Sequence, residues 1–313
     1  MYFQKAWDLY QQHYSPMNVL GYVPSPKPTR NVTDLLEIAD EFDALLLDGF
    51  GVLNVGTTVV PNMPRILTNL KDAGKSIFVL TNGGSLPSHI TALKYPKWDY
   101  PITPDYVISS RDSLEAHLNM HPVSQNNGLW GVIGMPESRV DLLPARTQYL
   151  AKPDDALNFD HVDGFLFLGA IYWDIERQQR LIQSLTKKPR PVLVGNPDLT
   201  APLENGFTTE PGFYCLALEA IAGVTVTRFG KPFPAMYDLA FQKMNRVHQD
   251  NQLKPLDKNR ILMVGDTLHT DILGGNGAGM KTALMTDFGF LRDQSADNAI
   301  ALSGITPDFI ISN

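Results

Sequence analysis

The stretch ALLLDGFGVL, residues 44–53, decides the fold of this chain. Its first four residues form a compact apolar run, which is typical of a strand that is buried on both faces of a sheet. The run ends at Asp48 and Gly49, so the strand delivers a carboxylate at its carboxyl end. Strands of this kind occur mainly in parallel sheets covered by helices, which predicts an α/β protein.

A helix and a second strand are predicted to follow. Asn62 and Pro64 are start signals for a helix through Leu70, and residues 76–80 form another apolar run, which leads into TNGG, residues 81–84. Parallel strands joined by a right-handed crossover place their carboxyl ends at one edge of the sheet, where ligands bind. Asp48 and Thr81 are therefore expected to be neighbours.

The same pattern returns late in the chain. A helix is predicted over residues 234–247, and a strand over residues 261–264 ends in Gly265 and Asp266. A further helix begins near Asp271, so a second strand end delivers a second carboxylate. Most of the region between the two halves is expected to form an inserted α/β domain, because it contains four more strand candidates: residues 106–108, 129–133, 165–168 and 192–194.

Composition narrows the classes of function. The chain has 313 residues and a formal net charge of −7, and this mild acidity disfavours nucleic acid as a partner. Its longest apolar segment is too short to span a bilayer, and its start does not resemble a secretory signal. The single cysteine permits no intrachain disulfide, which fits a reducing compartment. We therefore expect a cytoplasmic globular protein that does not bind membranes.

Each motif alone also fits an ordinary structural role. Residues 48–53 and 81–84 fit simple turns after strands. Lys231 fits a solvated lysine, and Asp271 fits a helix cap. Their order favours a functional interpretation, because an acid and a hydroxyl end successive strands, a lysine precedes a helix, and paired acids follow a later strand.

Together, these motifs resemble the four motifs of the haloacid dehalogenase superfamily of aspartate-nucleophile phosphotransferases. The position of the insertion is similar to that of the class II capped branch, which includes the NagD-like and 4-nitrophenylphosphatase-like phosphatases. The resemblance implies a Rossmann-like parallel-sheet core in a three-layer sandwich, with an inserted α/β cap. The implied units are an N-terminal extension packed on the core (residues 1–40), the core (residues 41–85 and 225–313) and the cap (residues 86–224).

The resemblance also implies an activity, namely Mg²⁺-dependent hydrolysis of small phosphate esters, sugar phosphates among them. A phosphate monoester is a dianion that resists an anionic nucleophile, so a site must neutralise it and hold the attacking group in line. Mg²⁺ suits such a site because it prefers oxygen ligands. The implied partner is a small phosphorylated metabolite, and the branch often forms homodimers through its caps.

Site residues follow from the same resemblance. The implied catalytic residues are Asp48, which becomes an aspartyl-phosphate, Thr81 and Lys231. The implied phosphoryl ligands are Thr81, Asn82, Gly83 and Lys231. The implied metal ligands are Asp48, Asp266, Asp271 and the backbone carbonyl of Phe50. The candidate substrate contacts in the cap are Asn196, Asp198, Tyr172 and Trp173, the first two of which lie in an Asn-Pro-Asp sequence also found in caps of this branch.

One position departs from the phosphatase pattern. The usual motif has a second Asp two residues after the nucleophile, which acts as general acid and base, and this chain has Phe50 there. Loss of such a group typically lowers a rate about 10²- to 10⁴-fold. Hydrolysis of alkyl phosphates therefore needs another proton donor, for which His269 and Asp198 are the candidates. The rate of hydrolysis should fall least for aryl and acyl phosphates, whose leaving groups need no proton.

Two other functions stay open at this level. An aromatic residue at the same position also occurs in the metal-free haloacid dehalogenases, but such a site has no use for the extra acids Asp266 and Asp271. A pseudoenzyme that binds a phosphorylated metabolite without turnover would also tolerate Phe50. The presence of all four motifs weakens this second alternative.

Overall fold

A computed structural model of the protein describes residues 1–150 and 159–312. The fold is α/β, as the sequence predicts, with two parallel sheets and helices on their faces. The larger sheet has the strand order β1 (Arg30–Val32), β14 (Phe309–Ile311), β13 (Lys281–Met285), β12 (Ile261–Gly265), β2 (Ala44–Leu47), β5 (Ser76–Thr81) and β6 (Val107–Ser109).

This larger sheet is the middle layer of the core. Strand β2 lies between β12 and β5, and every residue of β2 is buried. Leu45 and Leu47 pack on one face with helix α3 (Met63–Asp72), whereas Leu46 packs on the other face with helix α10 (Pro234–Asp250). Burial on both faces explains why this strand is apolar throughout instead of alternating.

The smaller sheet forms the centre of the cap. One face packs against Leu181 and Leu185 of helix α8 (Ile175–Lys187). The other face packs against Leu114 and Leu118 of helix α6 (Ser110–Leu118). Its parallel strands have the order β11 (Val226–Arg228), β10 (Val192–Val194), β9 (Gly164–Phe167), β7 (Trp130–Ile133) and β8 (Thr147–Tyr149).

The boundaries of the cap differ from the predicted range, residues 86–224. Strand β6 lies inside that range but pairs with β5 at the edge of the larger sheet. Strand β11 lies beyond it but pairs with β10 in the smaller sheet. Each of these strands has three residues, too few for a sequence pattern to assign it to a sheet. The insertion therefore begins after β6 and ends after β11.

The first 40 residues are more than an extension that packs on the core. Strand β1 pairs with β14 at the edge of the larger sheet. Helix α1 (Phe3–His13) packs through Trp7 and Tyr10 against Phe290 of the core and Leu199 of the cap. The N-terminal segment thus contacts both units.

The remaining elements join these layers. An antiparallel hairpin, β3 (Asn54–Val55) and β4 (Thr58–Val59), follows β2. A π-helical turn, Leu268–Ile272, follows β12. The other helices described are α2 (Pro16–Leu20), α4 (Ser88–Thr91), α5 (Lys94–Lys97), α7 (Pro122–Gln125), α9 (Pro211–Leu216), α11 (Leu273–Gly277) and α12 (Ala296–Ser303). Of the helices in residues 1–150 and 159–312, none has the length and apolar character needed to cross a membrane.

Candidate active site

Polar side chains gather where the central strands of the larger sheet end. Leu47, the last residue of β2, pairs with Val264 in β12 and with Val79 in β5. This register brings the following residues of all three strands to one edge of the sheet. Asp48 and Thr81 line the same cavity at this edge, as expected for the ends of neighbouring parallel strands.

Glycines leave room for two further acids at this edge. A Cβ atom on Gly265 would lie 2.1 Å from the side chain of Asp271. A Cβ atom on Gly51, whose φ is +79°, would lie 2.3 Å from Oδ2 of Asp266. Because a Cβ atom cannot lie this close to another side chain, both positions require glycine. The glycines beside the acids in the sequence thus have a direct steric role.

Asp48, Asp266 and Asp271 form a carboxylate cluster, in which one oxygen of each lies within 4.8 Å of the others. Nζ of Lys231 lies 2.5 Å from Oδ1 of Asp48 and 2.7 Å from Oδ1 of Asp271. Lys231 is only 1% exposed, so the alternative of a solvated lysine is wrong. The fold therefore places three acids and one lysine together, although more than 180 residues separate Asp48 from the others in the sequence.

Burial and crowding shift the pKa values in this cluster. Burial raises the pKa of Asp48 to about 6, against the opposing effect of Lys231. Burial, and then the charges of Asp271 and Asp48, raise the pKa of Asp266 well above its usual value. Burial lowers the pKa of Lys231, but the neighbouring acids outweigh that effect and raise it overall. One lysine does not neutralise three crowded acids, two of which are buried, so the cluster favours another cation.

The donor set fits a divalent metal ion such as Mg²⁺. The three acids offer carboxylate oxygens, which hard cations prefer, and the ion would neutralise the excess negative charge. The carbonyl oxygen of Phe50 accepts no hydrogen bond from the described residues, so it is available as a further ligand. Asp48, Asp266 and Asp271 are therefore the residues that would hold the ion, and the contact of the Phe50 carbonyl with it stays a prediction.

The residues predicted to hold phosphoryl oxygens differ in their surroundings. Thr81 and Gly83 line the cavity, and the Gly83 N–H donates to Oγ1 of Thr81 at 3.1 Å. The side-chain amide of Asn82 instead donates to the Lys231 carbonyl at 2.9 Å and to Oδ1 of Asp198 at 2.8 Å. It also accepts from the Lys231 N–H at 2.7 Å. Both side-chain N–H bonds of Asn82 are therefore used within the protein, and a phosphoryl contact of the Asn82 amide stays a prediction.

A cavity of about 610 Å³ opens above the carboxylate cluster, between core and cap. Asp48, Thr81 and Asp266 line its core side, and Met135 and Ile171 line its cap side. This volume admits a ligand much larger than phosphate. Lys231 is buried against Asp48 and Asp271 and does not line the cavity, so its predicted contact with phosphoryl oxygens stays a prediction.

The cap reaches the cavity through the loop after β10, which contributes Asn196 and Asp198. Asn196 donates from Nδ2 to Oε2 of Glu210 at 2.9 Å, and its Oδ1 accepts from the Asp198 N–H at 3.0 Å. Burial raises the pKa of Asp198 to about 8, so this acid holds a proton at neutral pH. Asn196 thus orders the loop, and Asp198 presents a neutral carboxyl group to the cavity.

Three candidates from the sequence lie outside the cavity. Tyr172 is 38% exposed on the cap, and Trp173 is buried in the apolar core of the cap. His269 is completely buried, with its ring 5.0 Å from that of Trp7 and 5.5 Å from that of Tyr10. The expected substrate contacts of Tyr172 and Trp173 are therefore wrong. His269 is equally wrong as a replacement proton donor, because helix α1 separates it from the cavity.

Two residues of the cavity wall were missed by sequence reasoning. Tyr10 belongs to α1, and its hydroxyl accepts from the Leu199 N–H at 3.2 Å. Lys94 belongs to α5, and its Nζ lies 5.2 Å from the centre of the Phe50 ring. Burial lowers the pKa of Lys94 to about 8. Neither residue lies in a motif, and only the aromatic neighbours of Lys94 in the sequence hint at its burial.

Comparisons with known proteins agree with this architecture. A family model described as haloacid dehalogenase-like hydrolase matches residues 45–143, and one described as HAD-hydrolase-like matches residues 228–313. The glycerol-3-phosphate phosphatase of Mus musculus is 26% identical over 299 residues, which cover 87% of this chain and 89% of that protein. Chronophin of Bos taurus is 24% identical over 285 residues, which cover 89% of this chain and 93% of that protein.

Solved structures show the same fold. A possible sugar phosphatase of the HAD superfamily from Cytophaga hutchinsonii has a TM-score of 0.76 and 27% identity, and the match covers 91% of this chain and 98% of that one. A 4-nitrophenylphosphatase from Thermotoga maritima has a TM-score of 0.65 and 20% identity, with 88% and 96% covered. Together with the two family models, they show that the chain belongs to the haloacid dehalogenase-like hydrolases, in the branch with an α/β cap between the second and third motifs.

Proposed function

We propose that this protein is a divalent-metal-dependent phosphatase, which hydrolyses small phosphate monoesters through an aspartyl-phosphate on Asp48. One observation carries the proposal: oxygens of Asp48, Asp266 and Asp271 lie within 4.8 Å of one another beside a cavity large enough for an organic phosphate. Relatives that are named as phosphatases support it.

Asp48 is the nucleophile in this proposal. Lys231 lies 2.5 Å from its Oδ1, and the Gly49 N–H donates to the same oxygen at 2.7 Å, so the carboxylate is oriented. An Asp48 oxygen forms a bond to phosphorus while the bond from phosphorus to the leaving oxygen breaks. Water then attacks the phosphorus of the aspartyl-phosphate and passes a proton to Asp198, while the bond from phosphorus to the Asp48 oxygen breaks; this releases inorganic phosphate and regenerates Asp48.

The dianionic phosphoryl group needs positive or hydrogen-bonding neighbours near the nucleophile. Thr81 lines the cavity beside Asp48 and offers a hydroxyl. A metal ion bound by the carboxylate cluster would supply Lewis-acid stabilisation of the phosphoryl oxygens. Lys231 offsets the repulsion between Asp48 and Asp271 and thereby keeps the acids together. These contacts lower the electrostatic barrier to attack by an anion on a dianion.

Asp198 supplies the proton that Phe50 cannot transfer. Its carboxyl group lines the cavity, and its raised pKa of about 8 keeps it protonated at neutral pH. A protonated acid next to the leaving oxygen can neutralise the alkoxide as it forms. Of the two candidates from the sequence, Asp198 is the one that faces the cavity.

The test is turnover of 4-nitrophenyl phosphate with Mg²⁺ or with EDTA, for the wild type and for Asp48→Asn. This leaving group departs without a proton, so formation of the aspartyl-phosphate does not depend on Asp198 as an acid. We expect metal-dependent release of nitrophenolate, lowered roughly 10³-fold or more in Asp48→Asn. Asp105→Asn is the matched control, because Asp105 lies before the amino end of β6, at the opposite edge of the sheet.

Other outcomes would overturn the proposal. Metal-independent release of halide from a haloacid would favour a dehalogenase. Tight binding of a sugar phosphate, with no turnover of any phosphate ester, would favour a pseudoenzyme. Equal turnover by the wild type and Asp48→Asn would exclude the aspartyl-phosphate.

A further inference from the structure

Lys94 is a cation in the cavity wall; the charge of Asp48 raises its pKa against the effect of burial, but no salt bridge joins the two. Among the described residues that line the cavity, it is the only Lys, Arg or His. Its Nζ donates to Oδ1 of Asn54 at 3.3 Å and forms no salt bridge within residues 1–150 and 159–312. Two of the three N–H bonds of the ammonium group therefore remain for a ligand.

Aromatic rings surround this ammonium group. Nζ of Lys94 lies 5.2 Å from the ring centre of Phe50, 5.1 Å from that of Tyr95 and 5.3 Å from that of Trp98. Cation–π attraction offsets part of the cost of removing the charge from water. Aromatic faces carry no net charge, however, so the positive charge of Lys94 remains available to an anion in the cavity.

The phenyl side chain at position 50 explains why the ammonium group of Lys94 forms no salt bridge. An acid at this position would lie beside Lys94 and would pair with it, as carboxylates near buried lysines do. The phenyl ring holds the ammonium in place without neutralising it. The substitution that removes a proton donor therefore also leaves a free cation next to the nucleophile.

The carboxylate cluster does not need this second lysine. Lys231 already contacts Asp48 and Asp271, whereas Lys94 forms no salt bridge with Asp48. Lys94 and Asp48 nevertheless line one cavity, so a single small ligand can reach both. The cavity thus offers one place for a phosphoryl group and a separate place for another anion.

We propose that Lys94 binds a second anionic group of the substrate, a carboxylate or a second phosphate, beside the phosphoryl group that reacts. The preferred substrates are then phosphate monoesters whose organic part is itself anionic and short enough to bridge Lys94 and Asp48. This inference rests on the proposed phosphatase function and narrows its substrate class.

The experiment compares kcat/KM for matched substrates in the wild type and in Lys94→Met. The substrates are 2-phosphoglycolate, with a carboxylate, ethylene glycol bisphosphate, with a second phosphate, and 2-hydroxyethyl phosphate, with a neutral hydroxyl. We expect Lys94→Met to lower kcat/KM about 10- to 100-fold for the preferred anionic substrate, as loss of a charged hydrogen bond does, and less than about threefold for the neutral one. The anionic substrate that loses more identifies the second group.

Three further variants sharpen this comparison. Lys94→Arg should keep most of the preference, because it keeps the charge. Phe50→Asp should reduce the preference, because the new carboxylate pairs with Lys94. Lys97→Met should change nothing, because Lys97 is exposed on the same helix and lies outside the cavity.

Binding without turnover separates this inference from the proposed function. Calorimetry would compare the affinity of phosphonoacetate with that of ethylphosphonate, which lacks the carboxylate. A preference for phosphonoacetate that disappears in Lys94→Met supports the anion site even if no ester is hydrolysed. If 4-nitrophenyl phosphate is hydrolysed, but Lys94→Met weakens charged and neutral compounds equally, the phosphatase stands and the second anion site is overturned.

Discussion

Phe50 is the residue at which this protein departs from the phosphatases that its motifs resemble. Its ring lies against Lys94 and has no proton to give, whereas Asp198 from the cap lines the same cavity and has a pKa raised by burial to about 8. General acid catalysis requires a proton donor within reach of the leaving oxygen, not one at a particular position of the sequence. In the proposed mechanism the cap, instead of the nucleophile loop, is the source of that donor.

A prediction at this scale concerns Asp198→Asn. The amide keeps the shape of the neutral acid but cannot donate its proton to an alkoxide, so turnover of a sugar phosphate should fall about 10²-fold or more. Because the acid must be protonated, wild-type turnover of the same substrate should also fall as the pH rises through about 8, the pKa of Asp198. Steady-state kinetics between pH 6 and pH 9 measure both effects.

The control for Asp198→Asn is a substrate that needs no proton. The rate of the initial release of nitrophenolate from 4-nitrophenyl phosphate, which reports the first step alone, should stay within about threefold of the wild type, because its leaving group is already stable as an anion. An equal loss with both substrates would show that Asp198 supports the structure of the site and does not act as an acid.

Helix α1 shows how an element without a motif becomes part of the site. Tyr10 stacks on His269, in the turn that carries Asp271, and accepts a hydrogen bond from the Leu199 N–H next to Asp198. The hydroxyl of Tyr14 donates to the carbonyl of Pro197 in the same cap loop. One helix thus holds a core turn and a cap loop together.

Tyr10→Phe tests this tie between helix and loop. The ring and its stacking remain, but the buried Leu199 N–H loses its acceptor, which costs about 1 to 3 kcal/mol of unfolding free energy. Urea denaturation followed by circular dichroism measures the change. Tyr2→Phe, at a residue that is 88% exposed, is the matched control and should be neutral. A neutral Tyr10→Phe would mean that water replaces the hydroxyl and that the helix does not fix the loop.

Core and cap meet closely around the cavity. A Cβ atom on Gly84 of the core would lie 2.0 Å from the carbonyl oxygen of Gly195 in the cap, and the hydroxyl of Ser110, at the start of the cap, lies 3.0 Å from the Asn82 carbonyl oxygen of the core. The cavity between the two units therefore has the carboxylate cluster of the core on one side and the Asp198 loop of the cap on the other. A homodimer formed through the caps and a cytoplasmic location stay predictions.

A prediction for the whole molecule concerns metal binding. Buried carboxylates that repel one another destabilise the folded state without an ion, so Mg²⁺ should raise the melting temperature measured by calorimetry. At a hundredfold excess over its Kd, the ion should stabilise the protein by about 3 kcal/mol. EDTA should reverse this shift.

Asp266→Asn is the matched variant for that measurement. It removes one ligand and also one of the repelling charges, so the metal-free melting temperature should be unchanged or higher while the Mg²⁺ shift shrinks or disappears. A full Mg²⁺ shift in Asp266→Asn would mean that the ion binds elsewhere.

The motifs allowed much of the site to be anticipated. The glycines and acids around residues 48 and 266 occur at ends of apolar strands, so their meeting at one sheet edge follows from local pattern and parallel pairing. The side-chain role of Asn82 did not follow, because its partners, Lys231 and Asp198, lie more than 110 residues away. The predicted boundaries of the cap were wrong for a similar reason, because a strand of three residues pairs with whichever sheet lies next to it in the fold.

The sequence by itself determined the α/β class, the order of the motifs and the resemblance to the haloacid dehalogenase superfamily. This was possible because a buried strand is a short run of apolar residues, and the residues that follow it mark its end. Only the tertiary structure decided which side chains face the cavity. In the structure, His269 is buried under α1, Trp173 packs in the apolar core of the cap, and the ammonium group of Lys94 lies against the ring of Phe50. Such contacts join residues that are distant in the chain, so no local sequence pattern predicts them.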